Sequence, residues 1–304
     1  TSLTGLNILT AELYTFHCAD SIDLNPGSYT LKLWVSDING ASMDSIPAND
    51  TASMVINVAS NTTDYTPLIE VFTSSTCPPC APFNMNVLSP WMVTHHQDVT
   101  LVKYQMSWPL PGDPYYTAEG GVRRAYYGVS AVPDLFIDGK SYATTATGVT
   151  AGYNAGMARD AFMELTATHT ISASDISVNV SITPYVTGPF TAHIVVVEDT
   201  TYLNATSNGE TEFHNVMMKM LPDADGTALS LVDGQTVTLY ETANLSATNV
   251  EEMSDLSVVV FVQDDNTQQI FQSCYSDIVV GRKEVDTPDV ACYPNPTSGI
   301  VYLD

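Results

Sequence analysis

Residues 74–83, SSTCPPCAPF, follow directly on the apolar run PLIEVF at 67–72. A short apolar run that ends in two cysteines separated by two prolines restricts the local fold more than any other stretch of the chain. The run reads as a buried strand, and the prolines suit the first turn of a helix, where a missing backbone donor costs little. A cysteine at such a helix start faces exposed N–H groups and the positive end of the helix dipole. Sites of that kind lower a thiol pKa from about 8.5 into a range of roughly 3.5 to 7.5. Cys77 is expected there, with Cys80 one turn further on and poised to resolve a mixed disulfide.

Three readings of the pair compete: a redox dithiol, a structural clasp, or half of a zinc site. Zinc wants a second Cys-x-x-Cys or two histidines at ligand spacing. His95 and His96 are adjacent, and Cys18, Cys274 and Cys292 lie far along the chain. The redox and clasp readings therefore stand ahead of zinc. Five cysteines are too few for a disulfide scaffold, and their odd number leaves at least one unpaired within the chain. Whether Cys274 and Cys292 pair with each other stays open.

Around the pair the hydrophobic period alternates between helix and strand. Residues 81–98 fit a helix with Phe83, Val87 and Trp91 on one face and Pro90 as a kink. A strand over 99–106, a short helix within 113–130 and a strand from Val132 to Gly139 follow. A last helix is expected over 148–165, with Met157, Ala161 and Phe162 on one face. This βαβαβα order implies a central sheet flanked by helices.

The flanks read as β structure. Residues 1–60 hold strands at 27–36 and 51–58 around a turn-rich loop, and are read as a partial Ig-like β domain whose beginning is missing. A linker covers 61–66. Residues 167–284 carry alternating runs and turn residues suited to an antiparallel β-sandwich. Within them, Met217, Met218 and Met220 interrupt the pattern and are read as core filler. A polar, proline-containing linker opens the final stretch, 285–304. The fold class is thus α/β plus all-β, with the α/β domain over 67–166.

Nine Lys and Arg against 34 Asp and Glu give a formal net charge of −25, which excludes a nucleic-acid partner. No apolar run approaches the roughly 18 residues that cross a bilayer, so no transmembrane segment is expected. Thr1 follows no basic or apolar leader, and the chain is read as mature or cut at its start. Asp37, Asn39, Asp44 and Asp50 share one loop and form a weak calcium candidate, with a solvated turn as the preferred reading.

The segment GVSAVPDLFIDGK at 128–140 resembles the cis-proline loop of the thioredoxin superfamily. Together with the CPPC turn it identifies residues 67–166 as a thioredoxin-like domain. The resemblance implies a cis Val132–Pro133 bond beside the dithiol, holding an incoming substrate strand. It makes Cys77, Cys80, Val132 and Pro133 the catalytic candidates, with a redox-active Cys77–Cys80 disulfide and no other cofactor. With the downstream FHNVMMKMLPDADGTALSL and VVVFVQDDNTQQIFQ, the chain looks like the 28-kDa outer-membrane-protein family of Bacteroidetes. Tyr293 to Pro296, YPNP, resembles the opening of a type IX secretion sorting domain. Asp-Ser/Thr-apolar triplets resemble an O-glycosylation sequon of the same lineage, at Ser21, Ser45, Thr51 and Thr200.

One departure stands out. Thioredoxins commonly place a buried acid six residues before the first cysteine, where this chain has Val71; Glu70 lies one place earlier, and strand alternation turns it to the opposite face. The resemblances imply a secreted or cell-surface protein, met by the type IX secretion machinery. Two functions follow: a thiol–disulfide oxidoreductase acting on protein thiols or disulfides, or a non-enzymatic adhesion or filament-type assembly subunit that binds neighbouring surface subunits and reuses the fold.

Overall fold

The computed structural model describes residues 14, 15, 17, 21–34, 51–279, 292, 293, 302 and 303. It is a mixed α/β molecule dominated by sheets. The expected N-terminal strands form a hairpin, β1 (Gly27–Trp34) and β2 (Thr51–Val58), in antiparallel register from Gly27↔Val58 to Trp34↔Thr51. Its apolar side chains Leu33, Trp34, Met54 and Val55 are exposed. The loop holding Asp37, Asn39, Asp44, Ser45 and Asp50 lies outside the described residues, as do Cys18 and Pro294 to Pro296 of the YPNP motif.

After β3 (Thr63–Asp64), the α/β part opens with β4 (Leu68–Thr73), six consecutive buried residues. The helix that follows has three pieces: α1 (Cys80–Phe83), a π turn (Asn84–Leu88) and α2 (Ser89–His95). The widened turn sits just ahead of Pro90, which has no N–H to donate and whose ring crowds the carbonyl one turn back. The kink expected at Pro90 therefore takes the form of a π turn. Next come β5 (Thr100–Gln105), α3 (Ala118–Tyr127), β6 (Asp134–Ile137), β7 (Lys140–Tyr142) and α4 (Ala146–Met157). Thr117 caps α3 by accepting the Gly120 N–H, and Gly128 ends it in the left-handed conformation that glycine adopts at no steric cost.

The helix expected over 148–165 stops at Met157. Residues 163–172 alternate buried and exposed instead, and β8 (Asp160–Ala161) and β9 (Met163–Ser172) take Ala161 and the chain beyond it into sheets. The period of two decides in favour of strand once Met163, Leu165 and Ala167 have a sheet to face. Close packing holds α4 to the sheet: a Cβ on Gly152 would stand 2.4 Å from Ile137 Cδ1.

The remaining strands are β10 (Asp175–Pro184), β11 (Gly188–Thr201), β12 (Phe213–Leu221), β13 (Thr227–Leu231), β14 (Val237–Asn244), β15 (Leu256–Gln263), β16 (Ile270–Tyr275) and β17 (Asp277–Ile278). A short pair, β18 (Cys292–Tyr293) with β19 (Tyr302–Leu303), completes the described chain. Four strands form one sheet in the order β14-β10-β9-β17. Nine form a larger one, β16-β15-β11-β12-β5-β4-β6-β7 with β13 on β11. That sheet runs unbroken from the α/β part into the β part, because β12 pairs in parallel with β5 at Val216↔Lys103.

Three cores follow. Val178, Val180, Ile194, Val196, Val258 and Val260 fill the space between the two sheets. Phe72, Tyr104, Val195, Val197, Met217 and Phe261 pack on the opposite face of the large sheet, around Tyr127 of α3. Ile69, Val71, Leu101, Leu135 and Val149 meet Phe83 and Leu88 beneath the kinked helix. The methionines of β12 are buried strand residues, in agreement with their reading as core. No helix among the described residues is long and apolar enough to cross a membrane.

Candidate functional site

The end of β4 delivers the chain into a turn at Ser74–Thr76, and Cys77 and Cys80 follow as a disulfide with Cα atoms 5.3 Å apart. The helix begins at Cys80, three residues later than expected, and the Cys80 N–H donates to the Cys77 carbonyl at 3.1 Å. Three prolines explain the delay: Pro78, Pro79 and Pro82 offer no N–H, so the opening turn presents few free amides to Cys77. The dipole argument for a Cys77 anion is correspondingly reduced. Cys77 is 1% and Cys80 0% exposed, whereas Pro78 and Pro79 face solvent.

The Val132–Pro133 bond is cis, and the Val132 carbonyl oxygen lies 3.5 Å from Cys77 Sγ. The loop before β6 thus lies against the disulfide. All four residues singled out for catalysis, Cys77, Cys80, Val132 and Pro133, meet at one place.

A segment that sequence reasoning did not connect to this site reaches it from the β part. In the β11–β12 loop, Thr206 Oγ1 donates to the Ser75 carbonyl at 2.6 Å and the Asn208 N–H donates to it at 3.0 Å. Asn208 Nδ2 donates to the Ser74 carbonyl at 3.2 Å. From the other side, Asp113 Oδ2 accepts the Ser75 N–H at 2.7 Å, and the Pro109 carbonyl accepts from Thr76 Oγ1 at 2.6 Å. The three residues before Cys77 are therefore held on two flanks.

Beneath the turn lies a buried polar cluster. Glu210, from the same loop, accepts from Asn84 Nδ2 with both carboxylate oxygens at 3.1 Å and from Asn208 Nδ2 at 2.8 Å. Asn84 Nδ2 also donates to Thr73 Oγ1 at 3.0 Å. Burial pushes Glu210 up, opposed by Asn84 and the Lys103 charge; burial pulls Lys103 down to about 8, opposed by Glu210. Asn84 Oδ1 and both polar side-chain atoms of Gln105 are buried without a protein partner. A lone lysine inside the apolar run TLVKYQ is the one sequence signal for this cluster; nothing local marks Glu210.

Val71 faces the kinked helix among Phe83 and Leu88, and Glu70 points the other way, as alternation requires. There Glu70 accepts from Arg123 Nε at 2.8 Å, Arg123 Nη2 at 3.1 Å, Tyr127 Oη at 2.6 Å and Tyr104 Oη at 3.0 Å. Cys274 is a free, half-buried thiol among the described residues, pushed up to about 12 by burial and the Asp277 charge. Among the described residues no group of three or more His, Cys, Asp or Glu is placed to hold a metal. Of the glycosylation candidates, Ser21 and Thr51 are exposed, while Thr200 is half-buried with Oγ1 3.3 Å from His214 Nδ1.

No protein-family model and no curated protein matches the chain. Among solved structures it is similar to HBP35 of Porphyromonas gingivalis, with a TM-score of 0.54 and 16% identity over 79% of this chain and 85% of that one. It is also similar to a protein from Agrobacterium tumefaciens, with a TM-score of 0.49 and 13% identity over 70% and 94%. A domain of the outer membrane lipoprotein Omp28 from Porphyromonas gingivalis matches at a TM-score of 0.30 and 16% identity, over 39% of this chain and 88% of that domain. At this identity the HBP35 likeness is one of fold.

Proposed function

We propose that the chain is a secreted or cell-surface thioredoxin-like protein that performs thiol–disulfide exchange through Cys77 and Cys80. The observation that carries this reading is the placement of the Val132 carbonyl 3.5 Å from Cys77 Sγ. A cis-proline loop set against the first cysteine of a Cys-x-x-Cys turn gives an incoming extended segment a backbone edge to pair with, beside the sulfur it must reach. The strand order β5-β4-β6-β7, with the turn at the end of β4, supports a thioredoxin-like unit. The extracytoplasmic location rests on the sequence resemblances around the CPPC turn and at Tyr293 to Pro296.

In the reaction, the Cys77 thiolate attacks a substrate disulfide and forms a mixed disulfide. Cys80 then displaces the substrate thiolate and closes the Cys77–Cys80 bond. Two electrons pass from the dithiol to the substrate.

A second reading draws on a different observation: Cys77 is 1% exposed and its approach is pinned by Thr206 and Asn208. On that reading the disulfide is a clasp in a non-enzymatic surface subunit. Insulin reduction by the wild type and by Cys77→Ser separates the two. The exchange reading expects a rate that vanishes in Cys77→Ser; equal, near-background rates leave the clasp.

A further inference from the structure

Between α3 and the large sheet lies a cavity of about 230 Å³ that shares no residue with the dithiol site. Alternation along β11 turns His193 to the same face as Val195 and Val197, toward α3. The buried lining residues are Arg123 and His193, 2% and 3% exposed, so they form the floor. Half-buried Tyr126 makes a wall, and the exposed Val122, Asp225 and Asp265 mark the mouth. His193 stacks on Phe261, ring centroids 4.8 Å apart, yet neither ring nitrogen has a hydrogen-bond partner among the described residues. A Cβ on Gly226 would stand 2.8 Å from His193 Nδ1, so glycine keeps that edge of the ring clear. Buried polar atoms are nearly always paired, and two unpaired nitrogens on one ring that lines a cavity call for a ligand.

The chemistry of the lining narrows the class of ligand. Burial and the Arg123 charge hold His193 well below the usual imidazole range, so the ring is neutral, with one N–H and one acceptor nitrogen. Arg123 commits Nε and Nη2 to Glu70 and Tyr127, which leaves Nη1 as its remaining donor. Glu70 already matches the Arg123 charge, and Asp225 and Asp265 would repel an anion at the mouth. A cation passing the mouth would meet the guanidinium at the floor. Hydroxyl groups suit every position, because each both donates and accepts. The volume lies below the roughly 300–1,000 Å³ of sites for drug-sized ligands, and suits one pyranose ring with its C–H face on Tyr126.

We propose that this cavity binds an uncharged sugar, one pyranose ring held by His193, Arg123 and Asp225. Asp265 also lines a neighbouring cavity of about 280 Å³. Its Oδ1 accepts from Tyr126 Oη at 3.3 Å on one side, and its Oδ2 accepts from Thr191 Oγ1 on the other. A glycan chain therefore has room for one ring on each side of Asp265, whereas a free sugar fills the first cavity alone. The assignment is independent of exchange at Cys77.

The test is an NMR titration of the full chain that follows the imidazole nitrogens of His193, assigned by their loss in His193→Phe. The probes are the methyl glycosides of glucose, galactose, mannose and N-acetylglucosamine, with lactose, maltose and chitobiose as two-ring arms. At least one neutral sugar is expected to shift both nitrogens and to saturate below about 10 mM. His193→Phe keeps a ring on Phe261 and removes both polar atoms; its affinity, read on the Tyr126 ring signals, is expected to fall at least about tenfold. Val122→Trp, at an exposed position of α3, fills the mouth and is expected to abolish the His193 shift in a chain that folds as the wild type does. A two-ring sugar that binds at least about fivefold tighter than its single ring identifies a glycan chain as the source, and equal affinity a free sugar. No His193 shift with any neutral sugar at about 100 mM means a cavity that holds water only, and overturns the assignment. So does an undiminished shift in Val122→Trp, or saturation by glucosamine, glucuronate or glycine at a lower concentration than by any neutral sugar.

Discussion

Glu70 and Arg123 are 1% and 2% exposed, and the carboxylate takes four hydrogen bonds from Arg123, Tyr127 and Tyr104. The guanidinium also lies over the rings of Tyr126, Tyr127 and Phe261, each within 5.0 Å of the centroid. Removing either partner strands a buried charge. Glu70→Leu or Arg123→Met is expected to lower stability by about 3–5 kcal/mol in urea unfolding, with the double substitution costing less than the sum. Glu198 makes a different prediction. Burial pushes it up to about 7 from 4.5, with the Glu251 and Asp255 charges adding to the rise and the Glu251 and Glu252 amides opposing it. Its folded form holds the proton more tightly than the unfolded chain, so its contribution is complete below pH 4.5 and is lost as pH climbs to about 7. Thermal unfolding across that window should show Glu198→Gln removing on the order of 2–3 kcal/mol of the decline. At this scale Cys77, Cys80, Val132 and Pro133 are legible in the sequence because their chemistry is written into adjacent residues. The face of Glu70 is legible too, because strand alternation is local. Asn84 and Glu210 are not: they are 126 residues apart, and only the closed tertiary structure brings them together.

Elements are legible where one period dominates and obscure where two meet. The kinked helix, the strands β4 to β6 and the capped helix α3 follow from local pattern, Pro90, Thr117 and Gly128. The end of α4 does not, because 157–165 satisfies a helical face at Met157, Ala161 and Phe162 as readily as a strand at Met163 and Leu165. Burial in a sheet breaks that tie. The kinked helix starts at Cys80 rather than at Cys77, because prolines that fit a first turn also remove the amides that would define it. The β11–β12 loop carries the prediction proper to this scale. Thr206→Val with Asn208→Ala removes the two side-chain hydrogen bonds to the carbonyls of Ser75 and Ser74. At about 0.5–1.5 kcal/mol each, their combined loss should raise the reactivity of reduced Cys77 toward an alkylating reagent by roughly five- to a hundredfold. An unchanged rate would show that this loop does not restrict access.

In the whole molecule, the α/β part and the β part share a sheet through β5 and β12, and Phe72 and Tyr104 of one share a core with Val195, Met217 and Phe261 of the other. The sequence divides them because each has its own period, and pairing between strands over a hundred residues apart leaves no local mark. Such a shared core predicts one cooperative transition. Trp91 and Trp108 fluorescence and far-UV circular dichroism should give coincident denaturant midpoints, whereas two resolved midpoints would mark independent units. The exchange reading requires Cys77 to be a working nucleophile rather than half of a clasp. Trapping tests that most directly: reduced Cys80→Ser protein is mixed with a disulfide-bonded protein substrate and the covalent adduct is weighed by mass spectrometry. A nucleophilic Cys77 should give a mixed disulfide that accumulates because nothing resolves it. An adduct no more abundant than in Cys77→Ser protein would contradict it.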